Sequence, residues 1–229
     1  MSQLKINKLY PNDINTTALN SCHLVMGISP FNSFFSVDNI TAILEWAKSN
    51  SKSFQVFFPD QISIYTLMSL GYQEKEALHK IRKQENYLTN KIIQSLKNIH
   101  ITDEIEQQKK IIKLSELKNN KSYIELLDRY KKLFAENKDF YDICVDTSEQ
   151  ILEQNHRKKE GDEVINFNNA HEYLIQELPI PTNIGEILNI EKCVFVYKTI
   201  PKVLLKIYQN AYPISAGNNF LVLEGKEQI

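Results

Sequence analysis

His23-Leu-Val-Met-Gly-Ile-Ser29-Pro-Phe-Asn32-Ser33-Phe-Phe-Ser36 is the stretch on which the fold turns. Leu24 to Ile28 form an apolar run with the length and composition of a buried strand. The run stops at Ser29, ahead of a Pro and an Asn that favour a turn. A helix then opens, with Ser36 as its N-cap, Asp38 in the first turn and an apolar face of Ile40, Ile43, Leu44 and Ala47. Ser29 therefore falls at the carboxyl end of a strand in a strand–loop–helix unit, where open α/β sheets hold their ligands. A hydroxyl there suits a nucleophile; Ser29 and Ser33 equally suit the capping of a turn.

Outward from this unit, Phe54 to Phe58 read as a second strand, closed by Pro59-Asp60. A helix is expected over 61–70 with Gly71 as its stop, then a long helix over 74–97 and a short one over 104–109. A strand over 111–114 precedes helices over 122–136 and 140–155 and a charged loop over 156–163. Residues 170–176 read as a helix end that runs into Pro179 and Pro181, and strands follow over 194–197 and 220–223. Strands alternating with helices predict an α/β fold, a Rossmann-like parallel sheet flanked by helices. No internal repeat or low-complexity linker divides the 229 residues, so 1–229 reads as one domain.

Composition narrows the function. Hydrophobic content of 42 % and charged content of 24 % are those of a globular protein with a substantial core. Cys22, Cys144 and Cys193 lack metal-ligand spacing and cannot all pair, which predicts a reducing compartment and no metal. No run reaches the ~18 apolar residues of a membrane span, and the first residues carry no apolar signal core, so a cytoplasmic location is expected. A net charge of −1 gives no bulk sign of a nucleic-acid partner, and none of DNA. Neither common Gly-rich phosphate loop is present, nor the ATP signatures of class I aminoacyl-tRNA synthetases. No ATP cofactor is expected.

The long helix divides its surface. At 100° per residue, Lys75, His79, Arg82, Lys83, Asn86, Asn90 and Lys97 share a sector of about 100°. Leu78, Ile81, Leu88, Ile92 and Leu96 fall on another side and are expected to bury against the sheet. A cationic-to-polar face of this kind fits either a solvated surface or a phosphate-contacting one. His23 invites reading as a base serving Ser29, but six residues of extended strand separate the two by roughly 20 Å. No other histidine lies near a signature segment, and Gly27-Ile-Ser29-Pro-Phe31 is not a Gly-x-Ser-x-Gly nucleophile elbow.

Three ordered segments resemble the signatures of the cyclodipeptide synthases, which build diketopiperazines from aminoacyl-tRNAs. They are Gly27 to Ser36, Tyr173-Leu-Ile-Gln-Glu177-Leu-Pro179 in the pattern Tyr-x-x-x-Glu-x-Pro, and Tyr197 within Val194-Phe-Val-Tyr-Lys198. The resemblance runs from about residue 15 to residue 225. It implies a fold like the catalytic domain of class I tyrosyl- and tryptophanyl-tRNA synthetases. It also implies a reaction that starts from an already activated ester and so uses no ATP.

The resemblance assigns roles as well. Ser29 is the implied nucleophile that forms an aminoacyl-enzyme and then a dipeptidyl-enzyme. Tyr173 and Glu177 would hold the α-ammonium, Tyr197 would relay protons in cyclisation, and Asn32 would order the loop and bond Tyr197. The implied pocket for the first side chain is Val25, Gly27, Phe57, Leu114, Ile180 and Phe195. It is apolar and shortened by its two phenylalanines, which points to leucine and to cyclo(Leu-Leu). Lys75, His79, Arg82, Lys83 and Lys97 are the implied tRNA face. The implied partner is aminoacyl-tRNA, Leu-tRNA first, bound by a monomer with no membrane. Lys198 departs from the His, Gln or Pro that relatives often carry after the second tyrosine. An aminoacyl-tRNA deacylase or serine esterase, and a non-catalytic tRNA-binding module, are the alternative readings.

Overall fold

The computed structural model describes residues 5–11, 16–156 and 170–224. The chain opens with β1 (Lys5–Tyr10), a 3-10 turn (Thr16–Ser21), β2 (His23–Gly27), α1 (Val37–Asn50) and β3 (Ser53–Phe58). There follow α2 (Ser63–Ser69), α3 (Glu74–Asn98), α4 (Glu104–Lys109), β4 (Ile111–Lys113) and α5 (Leu114–Leu117). The second half holds α6 (Lys121–Glu136), α7 (Lys138–His156), α8 (Ala170–Glu177), α9 (Pro179–Leu188), β5 (Cys193–Tyr197), α10 (Lys202–Tyr208) and β6 (Asn219–Glu224).

Among the described residues six strands form one sheet in the order β1-β6-β5-β2-β3-β4. All neighbours are parallel except β1, which pairs antiparallel with β6 at the edge. The chain leaves β2 towards β3 and β4, then crosses back to lay β5 and β6 on the other side. The winding therefore reverses between β2 and β5, and a crevice opens there beyond the strands' carboxyl ends.

Alternation along the strands sends side chains into two cores. Leu24, Met26, Val56, Val194 and Val196 pack with Ile40 and Leu44 of α1 and with Leu88, Ile92 and Leu96 of α3. Val25, Phe57, Phe195 and Phe220 pack on the opposite face with residues of α6, α8, α9 and α10. A parallel sheet covered on both faces explains why these strands read as continuous apolar runs.

Several expectations needed correcting. Pro179 does not end the helical region: it opens α9, because a residue in a helix's first turn needs no N–H donor. Residues 111–114 are not all strand, since Leu114 starts α5. His156 is the last residue of α7 rather than the first of a loop, and the rest of 156–163 lies outside the described residues. Leu78 is 40 % exposed rather than buried. The first turns of α3 face α2 rather than the sheet, through Ala77 and Ile81, and leave Leu78 uncovered. β1 and α10 had not been anticipated. Both are short, and β1 carries charged residues along a sheet edge.

Candidate active site

Ser29 lies two residues beyond the end of β2, and Tyr197 is the last residue of β5. They thus stand on either side of the reversal in strand order, and their oxygens are 2.5 Å apart. The intervening turn is held by named bonds. The Asn32 carboxamide oxygen accepts from the Phe34 N–H at 3.1 Å, and the Asn32 carbonyl accepts from the Phe35 N–H at 3.2 Å. Ser36 caps α1, its hydroxyl accepting from the Asn39 N–H at 3.2 Å. Lys91 reaches across from α3 and donates to the Phe35 carbonyl at 3.0 Å. Asn32 also hydrogen-bonds the Tyr197 phenol, the contact expected of it.

Glu177 ends α8, and Tyr173 precedes it by one helical turn on the same face. Burial pushes the Glu177 carboxyl up to about 7, against a hydrogen bond from Tyr173 that favours the charged form. Burial together with the nearby Glu177 charge raises Tyr173 well above the usual phenol range. Tyr197 is pushed up to about 12, chiefly by burial, and is a neutral phenol at physiological pH. A carboxyl near 7 lining the cleft is a suitable counterpart for an amine.

Ser29, Asn32, Tyr173, Glu177, Tyr197, Gly27 and Phe195 line one cleft of about 420 Å³. Val25, Phe57, Leu114 and Ile180 do not line it: each is at most 1 % exposed, within the core of the same sheet face. Phe195 connects the two groups, its ring 6.3 Å from Phe57 and 5.7 Å from Phe220. The apolar wall that the cleft does present includes Leu174, Leu178, Pro181, Leu204 and Phe220. Gly27 is required at its position: a Cβ there would come within 2.6 Å of Phe195 Cζ and 3.2 Å of Tyr197 Cδ2.

Lys75, His79, Arg82, Lys83 and Lys97 are all exposed on α3, outside the cleft. The opposite side of α3 meets the Ser29 loop, where Ile81, Gln84, Glu85 and Leu88 gather around Pro30. His23 sits at the far end of β2, with Nδ1 2.8 Å from Ser53 Oγ and Nε2 3.1 Å from Gln55 Oε1. It plays no part in the site. Tyr123 of α6 was not singled out in the sequence. Its hydroxyl donates to the Gln176 carbonyl at 3.0 Å, and the Glu177 charge acts on it. Only the packing of α6 against α8 brings it there, and nothing in its sequence neighbourhood marks it. Lys198 lines the cleft with its Nζ 5.1 Å from the centre of the Phe34 ring.

Comparison with known proteins agrees with this geometry. Residues 12–224 match the family model described as cyclodipeptide synthase. A cyclo(L-leucyl-L-leucyl) synthase of Staphylococcus haemolyticus is 28 % identical over 76 % of this chain and 74 % of its own. One of Bacillus subtilis is 28 % identical over 90 % and 84 %. A crystal structure of a cyclodipeptide synthase from Bacillus thermoamylovorans superposes with a TM-score of 0.81 at 26 % identity, covering 91 % of each chain. The cleft at the strand reversal and a family match across nearly the whole sequence lead to one conclusion: the chain belongs to the cyclodipeptide synthase family.

Proposed function

We propose that the protein joins two aminoacyl-tRNAs through esters on Ser29 and releases cyclo(Leu-Leu) as its main product. The Ser29–Tyr197 contact of 2.5 Å, at the floor of a cleft that also holds Glu177, carries this reading. Ser29 Oγ attacks the ester carbonyl of the first aminoacyl-tRNA, the bond to the ribose oxygen breaks, and the serine proton passes to that oxygen. Tyr197 serves as the relay, taking one proton as it gives another, since a phenol at about 12 is a poor anionic base.

The aminoacyl group then sits with its α-ammonium against Glu177 and Tyr173. A carboxyl near 7 is matched to an amine of similar basicity, so Glu177 can both hold the ammonium and take its proton. The freed amine attacks the carbonyl of the second aminoacyl-tRNA, and the bond to that tRNA's ribose oxygen breaks. The proton lost by the amine passes to this oxygen as the tRNA leaves, and a dipeptide remains on Ser29. The new terminal amine attacks the Ser29 ester, its proton returns to Oγ through Tyr197, and the ring leaves. Each step consumes an ester already activated, so neither ATP nor a metal enters the scheme.

Leucine is supported by the apolar wall of Leu174, Leu178, Pro181, Phe195 and Phe220, which offers a charged side chain no partner. The two curated relatives named above are cyclo(L-leucyl-L-leucyl) synthases. The exposed cations of α3 are proposed to contact tRNA phosphates, and the enzyme to act as a cytoplasmic monomer. Incubation of Ser29→Ala with radiolabelled leucyl-tRNA tests the reading: both covalent label and cyclic dipeptide should vanish. Persistent labelling with normal turnover would refute it.

A further inference from the structure

Phe31 is a large apolar side chain held in the open beside the nucleophile. It is 37 % exposed, lines the cleft two residues from Ser29, and has φ of 60°. The left-handed region is one that non-glycine residues seldom adopt, and an aromatic residue is a poor choice for it on backbone grounds alone. Exposure removes the packing reason as well. The neighbours show the contrast: Phe34 and Phe35 pack edge to face at 5.2 Å, and Phe35 is buried. Asn32 and Lys91 hold the turn in which Phe31 stands exposed. A strained, exposed aromatic next to reacting atoms points to a ligand contact.

The geometry of the reaction supplies the ligand. The ester attacked by Ser29 joins the aminoacyl carbonyl to the ribose of the tRNA's terminal adenosine. With the side chain inside the cleft and the carbonyl at Oγ, the ribose and its adenine lie at the mouth. Of the other aromatic residues lining the cleft, Phe195 and Phe220 are buried, Tyr173 is bonded to Glu177, and Tyr197 to Ser29. Phe31 alone among these described residues is exposed, and so offers its ring to a base. We propose that Phe31 is the stacking platform for the adenine of the 3′-terminal nucleotide of each incoming aminoacyl-tRNA. Aromatic–base stacking is the usual way in which proteins hold an unpaired terminal base. The proposal rests on the reading that aminoacyl-tRNA acylates Ser29.

Kinetics with two acyl donors test it: leucyl-tRNA, and leucine cyanomethyl ester, an activated ester that has no nucleoside. Phe31→Ala and Phe31→Gly should raise KM for leucyl-tRNA about tenfold, the effect of one lost stacking contact, and leave kcat within about twofold. Phe31→Trp should restore the parent KM. Acylation of Ser29 by the cyanomethyl ester, read by intact-protein mass spectrometry, should be the same in all four proteins. Phe31→Gly relieves the backbone, so its melting temperature should equal or exceed the parent's, which separates a lost contact from a damaged fold. An unchanged KM for leucyl-tRNA in Phe31→Gly, or equal loss with both donors, overturns the stacking role. If the parent itself gives no acyl-enzyme with either donor, the Ser29 reading falls and this inference falls with it.

Discussion

Gly27 shows how narrow the tolerances are at the scale of one residue. Its missing side chain is the space into which the Phe195 and Tyr197 rings project, and Tyr197 in turn holds Ser29. Gly27→Ala should therefore push the Phe195 ring, which the new Cβ meets first, and crowd Tyr197 beside it. We expect kcat to fall at least tenfold, with a stability loss of about 1–3 kcal/mol, the usual cost of overpacking. Steady-state turnover and a denaturant titration of the same preparation would measure both; a variant with parental turnover would show that the ring positions are not critical. Ser29, Tyr173, Glu177 and Tyr197 were legible as residues because they fall in short, ordered signatures. The roughly neutral-range titration of Glu177 was not, since it comes from burial by elements far apart in the sequence.

At the scale of elements, α3 serves two surfaces at once. One side braces the segment after Ser29 through Lys91, which donates to the Phe35 carbonyl, and through Ser95, whose hydroxyl donates to the Val37 carbonyl at 3.1 Å. The other side exposes Lys75, His79, Arg82, Lys83 and Lys97. Arg82→Ala with Lys83→Ala should leave the melting temperature unchanged, because neither side chain is buried. It should weaken aminoacyl-tRNA use and flatten the dependence of log affinity on log salt by about one unit per lost phosphate contact. Identical salt series for parent and double variant would mark this face as solvent-facing only. The helical period revealed this division in advance, but not the bare position of Leu78, which depends on what α2 covers.

At the scale of the whole molecule, the site is held against the preference of the fold. The Glu177 carboxyl is raised from 4.5 to about 7 by burial, so the folded state binds the proton more tightly than the unfolded chain does. Stability contributed by the neutral form is present below about pH 4.5 and is lost as pH rises towards 7. At about 1.4 kcal/mol per pH unit the cost above pH 7 is roughly 2–3 kcal/mol, allowing for partial solvent contact. Glu177→Gln should thus melt higher than the parent at pH 8, with the gap closing by pH 4.5, while losing at least tenfold in product formation. Calorimetry at the two pH values checks the first part. A variant less stable than the parent at pH 8 would mean that the carboxylate is satisfied in the empty cleft.

The sequence by itself determined the chain's α/β alternation, the strand–turn–helix unit around Ser29 and the polar face of α3. Those features are set by local periodicity and by turn and capping residues. The ordered signatures of the sequence also singled out Ser29, Asn32, Tyr173, Glu177 and Tyr197, which the fold gathers on one cleft. The tertiary structure decided what distance in sequence conceals. The reversal of strand order between β2 and β5 brings Ser29 and Tyr197 together across 168 positions. Close packing left Val25, Phe57, Leu114 and Ile180 behind the cleft wall rather than on it. Burial of Glu177 and the outward turn at Phe31 belong to the same class: each depends on which elements cover a residue, and pattern within a single segment does not carry that information.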